Sequence, residues 1–281
     1  MTLTYENTTR LIETKDFRIQ INEAGEGHPI FMIHGGGPGA TGWSNFSPNF
    51  ETLSRSYRCI LVTMPGWGES SPQTVQTGRD GVEALKQLSE AMGIEKAAYV
   101  GNSMGAGASL RFTAEYPERV SHLVTMGLGS PGPGNILQPA GAPEGFRILV
   151  EAYEDPSPQN MKRLVRVMCY DPAYASDELA EQRSAIALRF PEHIKNWLEF
   201  LRSGPSMGIP AATLAKLPTL AVPTMLIHGR DDRTTHFEAS LRMVALLPNS
   251  SMVLINRCGH WAQLEHPAQF NRLLNGFVGG N

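Results

Sequence analysis

The sequence predicts an α/β protein in which a mostly parallel central sheet is flanked by helices and overlaid by an inserted helical lid. Three observations carry that expectation. Short apolar runs alternate with longer segments at helical spacing. Runs such as Ile30-Phe31-Met32-Ile33 and Thr224-Met225-Leu226-Ile227 are almost unbroken in apolar character, as strands covered on both faces must be. The alternation stops after Met126 and resumes only at Thr224.

Taken in order, strands are expected at Ile30–Ile33, Cys59–Thr63, Ala98–Val100, His122–Met126, Thr224–His228 and Met252–Ile255. Helices are expected at Val82–Met92, Ala106–Tyr116 and Pro267–Phe277, the last with proline in its first turn. From Gly127 to Gly145 the chain is rich in glycine and proline, the composition of a crossover linker. Helical patterns then come around Met161–Met168, Glu178–Leu188 and Ile194–Leu201. Residues 1–129 and 216–281 are therefore expected to form the core, and 130–215 the lid.

Composition narrows the function. At 281 residues the chain can bury a large core without disulfide staples. Its 24 basic and 27 acidic residues leave a net charge of −3, which argues against nucleic acid as a partner. No apolar stretch approaches the length of a membrane span, and residues 1–17 contain no signal-peptide core. Cys59, Cys169 and Cys258 are odd in number and far apart, which fits a reducing, cytoplasmic setting; the sequon at Asn7 is then idle.

The strongest chemical signal is Gly101-Asn102-Ser103-Met104-Gly105, placed between an expected strand and an expected helix. A G-x-S-x-G turn in that context is the nucleophile elbow of an α/β-hydrolase fold. Its glycines are needed because side chains two residues either side of Ser103 would collide. The Met104 N–H, at the helix start, would face negative charge forming beside Ser103. The plainer reading, a helix start that happens to contain glycine, leaves the acid and base at the far end of the chain unexplained.

A serine hydroxyl needs a base, and the base needs an orienting acid. The chain supplies them in the order Ser, Asp, His. Asp231-Asp232 comes after the strand ending at His228, and His260 after the strand ending at Ile255. Both lie just past strand C-termini, where open α/β sheets place their sites. The spacing G-x-x-D favours Asp232; Asp231 reads as a turn cap or a partner of Arg230 or Arg233.

The stretch His34-Gly35-Gly36-Gly37-Pro38-Gly39-Ala40 comes after an early strand and can present bare backbone N–H groups to an oxyanion. Gly37 to Gly42 also matches G-x-G-x-x-G, but the next strand ends in Thr63-Met64-Pro65-Gly66, with no acid to hold a ribose. No dinucleotide or other cofactor is expected. His28, His122, His193 and His236 are read as surface or loop residues, His266 shares no helix face with His260, and no metal-ligand spacing is present.

Taken together, HGGGPGA with Trp43-Ser44-Asn45-Phe46 after it, then Met64–Ser70 (MPGWGES), GNSMG, GRDDR and RCGHW resemble the meta-cleavage product hydrolases. These α/β-hydrolases cut a carbon–carbon bond in 2-hydroxy-6-oxo-hexa-2,4-dienoates during aromatic-ring catabolism. The resemblance implies a triad of Ser103, Asp232 and His260, with an oxyanion hole from the amides of Met104 and of Gly36 or Gly37. It places Asn45, Asn102 and Trp261 at substrate contacts. It gives Arg183, with Arg189 as a substitute, the role of gripping the substrate carboxylate. It also implies a small dienoate partner and a homo-oligomer, dimer or higher. Read without the resemblance, Arg183 would pair with Glu181 or Glu178 on an exposed helix face, and Trp261 would be core. A serine carboxylesterase or lactonase on the same fold is the alternative activity.

Three positions depart from the family pattern: Ala106 for a glycine after GNSMG, Thr63 for an acid, and Thr234-Thr235-His236 without a proline. None touches the expected triad. The lid methionines Met161 and Met168 suggest an adaptable apolar pocket for the 6-substituent.

Overall fold

The computed structural model describes residues 2–78, 80–132, 136–137, 142–204 and 208–280. Parts of the linker and lid expected at 130–215 therefore lie outside the described residues. Eight strands form one sheet: β1 (Thr9–Glu13), β2 (Arg18–Ala24), β3 (Pro29–Ile33), β4 (Arg58–Thr63), β5 (Ala97–Asn102), β6 (Val120–Met126), β7 (Thr224–Gly229) and β8 (Ser250–Ile255). Their order is β1-β2-β4-β3-β5-β6-β7-β8. The pairs β1·β2 and β2·β4 are antiparallel and the rest are parallel. This is the α/β-hydrolase architecture. All six expected strands are present.

Among the described residues there are twelve helices. They are α1 (Tyr5–Thr8), α2 (Gly42–Leu53), α3 (Gly81–Ala91), α4 (Met104–Glu115), α5 (Glu144–Glu154), α6 (Pro158–Met168), α7 (Asp177–Arg189), α8 (Pro191–Arg202), α9 (Ala211–Lys216), α10 (Glu238–Leu246), α11 (Ala262–Glu265) and α12 (Pro267–Val278). Helices α5 to α9 occupy the interval between β6 and β7. The linker run was expected to extend to Gly145, but α5 already begins at Glu144. The core packs on both faces of the sheet. Phe31, Ile33, Tyr99 and Phe112 lie in one layer, and Met32, Phe46, Val100 and Phe270 in the other. Each such side chain, fully buried, contributes about 1.5–3 kcal/mol.

Strands β1 and β2 have no counterpart among the expected ones. In β2, Gln20 and Asn22 interrupt the apolar pattern yet are buried. The Asn22 Nδ2 donates to the Thr8 hydroxyl (3.1 Å) and the Thr9 hydroxyl (2.8 Å), and the Gln20 Nε2 to the Tyr5 hydroxyl (2.7 Å). A polar strand is tolerated there because α1 supplies the partners.

What this topology does for function is local. Strand β3 lies between β4 and β5, so the loops leaving β3 and β5 rise side by side at the C-terminal edge. Ile33 sits in register with Gly101, which sets Gly35–Gly37 against Ser103.

Candidate active site

Ser103 stands between β5 and α4 with φ +52° and ψ −112°, one of only two non-glycine residues at positive φ among the described residues. Such a conformation costs about 1–3 kcal/mol and is held by its surroundings. The Ser103 N–H donates to the Met126 carbonyl at 2.7 Å. A Cβ on Gly101 would run into the Gly105 carbonyl, and one on Gly105 into the Ile33 carbonyl. Both glycines of the elbow are thus demanded by backbone contact.

Asp232 is fully buried beside His260, whose Nδ1 lies 2.7 Å from the carboxylate Oδ2. The other oxygen, Oδ1, accepts the N–H groups of Thr234 (2.7 Å) and Thr235 (2.9 Å). Burial alone would raise the pKa of this carboxyl. The charges and hydrogen bonds of His260 and His228 outweigh it and hold the group well below the usual carboxylate range. Asp231 instead turns to Arg230, 3.4 Å away.

His228 escaped sequence reasoning, because it reads as the last residue of an apolar strand. It is fully buried, and its Nε2 faces the Thr235 carbonyl at 2.9 Å and Asp232 Oδ2 at 3.2 Å. Both are acceptors, so that nitrogen carries the proton and Nδ1 takes the Ser240 hydroxyl at 2.7 Å. Gly127 (φ +57°) was also missed. A Cβ there would stand 2.6 Å from His260 Cε1, so only glycine leaves room for the imidazole. A lid contact fixes the same loop, as the His260 N–H donates to the Met168 carbonyl at 2.6 Å. The buried Glu265 carboxylate accepts the N–H groups of Gly259 (2.6 Å) and Tyr170 (2.7 Å), joining that loop to the chain after α6.

Ser103 and His260 line one chamber of about 350 Å³ together with Gly35, Gly36, Gly37, Asn45, Asn102, Arg183 and Trp261. In the glycine loop, the Gly37 N–H is committed to the Gly35 carbonyl at 3.1 Å. Among the described residues the Gly36 N–H has no partner, and Gly36 packs against Met104, whose own N–H begins α4 and has no intrahelical acceptor. Gly36 rather than Gly37 is therefore the amide available beside Met104. His34 braces this loop from beneath: its Nε2 accepts the Met64 N–H (3.0 Å) and its Nδ1 donates to the Gly35 carbonyl (2.8 Å). Burial lowers its pKa to about 4, so it is neutral at neutral pH.

Asn45 Oδ1 takes the Gly35 N–H at 3.4 Å. The Asn102 Nδ2 donates to the His260 carbonyl at 3.1 Å, which leaves its Oδ1 buried without a partner. Arg183 faces inward with Ala180, Ser184 and Ala187, so the exposed helix face expected from spacing alone is not where it sits. It is 3% exposed, its Nε has no partner, and Nη2 reaches the Pro38 carbonyl at 3.3 Å. Its guanidinium lies 5.1 Å over the Trp261 ring. Among the described residues no carboxylate pairs with it. Burial lowers its pKa to about 10, still a cation at neutral pH. Arg189 is exposed and pairs with Glu69 at 3.0 Å, away from the chamber.

The expected surface role of His122 and His193 is corrected, since both are buried. Burial lowers the His122 pKa, and His193 Nε2 bonds the Gly68 carbonyl at 3.0 Å. Met161 is buried in the core rather than lining an apolar pocket, and Met168 lines the chamber of Arg183. All three cysteines are free and buried. No helix among the described residues is long and apolar enough to cross a membrane.

Known proteins of similar sequence and fold point the same way. A family model described as alpha/beta hydrolase fold matches residues 28–267. A 2-hydroxy-6-oxononadienedioate/2-hydroxy-6-oxononatrienedioate hydrolase of Cupriavidus pinatubonensis is 38% identical, over 99% of this chain and 97% of that protein. A 2-hydroxy-6-oxo-6-phenylhexa-2,4-dienoate hydrolase of Burkholderia cepacia is also 38% identical, over 99% of both. Among solved structures, a variant of the meta-cleavage product hydrolase of Pseudomonas fluorescens IP01 superposes with a TM-score of 0.84 at 28% identity, covering 96% of this chain and 97% of that one. On the joint evidence of full-length identity, matching architecture and shared motifs, the chain belongs to the meta-cleavage product hydrolases of the α/β-hydrolase family.

Proposed function

We propose that this protein hydrolyses the C5–C6 bond of a 2-hydroxy-6-oxo-hexa-2,4-dienoate-type ring-fission product, giving 2-hydroxypenta-2,4-dienoate and a carboxylic acid. The observation that carries the reading is Arg183: a buried cation without a counter-ion, in the chamber that Ser103 and His260 also line. Burying a charge unpaired is costly, and an anionic substrate group that docks there relieves the cost. A guanidinium fork matches a carboxylate in two parallel bonds, and Trp261 beneath it fixes the plane.

The carboxylate on Arg183 would place the substrate's far end, its 6-oxo carbon, toward Ser103. A carbanion is a poor leaving group, so the dienol must first become its keto tautomer. His260 takes the proton from the 2-hydroxyl and delivers it to C5, returning to the neutral imidazole. The same imidazole, oriented by Asp232, then removes the Ser103 proton as Oγ adds to C6. The N–H groups of Gly36 and Met104 would hold the resulting oxyanion. As the oxyanion collapses and the C5–C6 bond breaks, its electron pair passes through the conjugated carbons to the C2 oxygen, which takes the proton held by His260. Water, deprotonated by His260, then hydrolyses the acyl-Ser103 ester, and Ser103 regains its proton. Asn45 and Asn102 would position the substrate, the unpartnered Asn102 Oδ1 by accepting from a hydroxyl.

Residues 130–215, with helices α5 to α8 and most of α9, would act as the lid, and the free buried cysteines suit a cytoplasmic setting. An oligomer would show in solution as a multiple of 30.7 kDa by light scattering.

The test is to mix the protein with a yellow dienolate and identify both products. Loss of colour with release of 2-hydroxypenta-2,4-dienoate, and one oxygen from labelled water in the acid, is the expected result. Colour lost by ketonisation alone, with no fragments, would refute the reading.

A further inference from the structure

A second chamber opens on the other side of Ser103. It holds about 1440 Å³ including its mouth, and its walls are mainly apolar, among them Leu128, Phe146, Trp197, Phe200 and Ile209. On the reading given above, this is the space that receives the substituent on the 6-oxo carbon. One residue does not fit an apolar purpose. Among the described lining residues Arg111 alone carries a charge at neutral pH.

Arg111 sits on α4 with Gly107 and Ala108, the helix face that looks into the chamber. It lies eight residues, about 12 Å along the helix axis, beyond Ser103. It lines the same chamber as Ser103. Its Nε is buried without a hydrogen-bond partner. Its side chain is one-third exposed, and its Nη2 forms a loose ion pair with Asp80 at 3.8 Å, beyond hydrogen-bond reach. The Asp80 Oδ1 is engaged as the N-cap of α3, accepting the N–H groups of Val82 (3.0 Å) and Glu83 (3.3 Å). The guanidinium therefore keeps donors to spare in a chamber that offers no other charge among its described lining residues.

We propose that Arg111 recognises an anionic group at the far end of the 6-substituent, so that the preferred substrate is a dienedioate bearing a carboxylate on a short aliphatic arm. The molecule would then be held at both ends by arginine, with Arg183 on the dienoate carboxylate and Arg111 on the distal one. Ser103 lies between them, where the bond breaks. The released acid is a dicarboxylate. Most of the similar relatives are named for a dienedioate, although one named for a phenyl dienoate is as identical to the chain, so the new element is the assignment of the distal carboxylate to Arg111. The inference rests on the C–C hydrolase reading and specifies its substrate class.

The test compares kcat/KM for 2-hydroxy-6-oxonona-2,4-dienedioate, for its distal methyl ester and for the 6-phenyl dienoate. The protein as it stands should favour the dienedioate over its ester by at least ~10-fold. In Arg111→Met that ratio should fall by ~10–100-fold, mainly through KM, and Arg111→Lys should keep part of it. A ratio unchanged by Arg111→Met, with dienoates still cleaved, overturns the role of Arg111 alone. Cleavage of no dienoate at all overturns the reading beneath it as well.

Discussion

The Arg183 guanidinium lies 5.1 Å over the ring of Trp261, and among the described residues no carboxylate lines the chamber they share. A protein selected for stability alone has little reason to keep such a group. Desolvating the cation is offset only by a cation–π contact and one hydrogen bond at 3.3 Å.

Arg183→Met should therefore raise stability by about 1–3 kcal/mol while lowering kcat/KM for a dienoate by at least ~100-fold. Arg183→Lys should recover little, since an ammonium cannot make the paired contact or stack as a plane on Trp261. Thermal unfolding and steady-state kinetics on the same preparations check both halves. A variant both less stable and fully active would show that Arg183 is structural.

Gly127→Ala places a methyl group 2.6 Å from His260 Cε1 at a backbone φ of +57°. The imidazole must move off Asp232. The expected result is a fall in kcat of ~100-fold or more, with KM little changed. Circular dichroism would show the sheet intact.

His228 gives Asp232 a donor that polar substitution can imitate and apolar substitution cannot. His228→Leu leaves the Ser240 hydroxyl and the Thr235 carbonyl without this partner and takes one donor from the Asp232 carboxylate, costing about 1–3 kcal/mol of stability. The kcat should fall by ~10-fold as Asp232 loses its fixed position, and His228→Gln should restore part of it. Equal losses in both variants would mean that packing, and not the hydrogen bond, is what His228 contributes.

His34 predicts an acid limb in stability. Burial depresses its pKa from 6.5 to about 4, so the unfolded chain binds a proton there before the folded one does. The stabilisation is complete above pH 6.5 and is lost as pH falls toward 4, up to ~3 kcal/mol. His34→Gln should lack that component. Denaturant unfolding of both proteins between pH 7 and 4 measures the difference.

Much of this was legible in the chain. The parallel strands announce themselves because covered strands must be apolar, and the elbow because its glycines answer to backbone contacts at Gly105 and Ile33. What stayed hidden was polar material made burial-worthy by partners distant in sequence. Strand β2 hides behind Gln20 and Asn22, whose partners are in and beside α1. Helix α2 opens on Gly42 and contains Pro48, both poor helix residues; the Thr41 side chain caps it by accepting the Ser44 N–H. His228 looks like a strand end until Asp232, Thr235 and Ser240 fold around it. Arg183 at a helix position looks exposed until α7 turns it inward with two alanines and a serine.

The most direct measurement sets a coloured dienoate against a p-nitrophenyl ester, with Ser103→Ala as the companion protein. A serine-dependent C–C hydrolase should show a kcat/KM for the dienoate at least ~100-fold above that for the ester, and Ser103→Ala should release neither fragment. Fast ester turnover with the dienoate untouched, or undiminished cleavage by Ser103→Ala, would contradict that assignment.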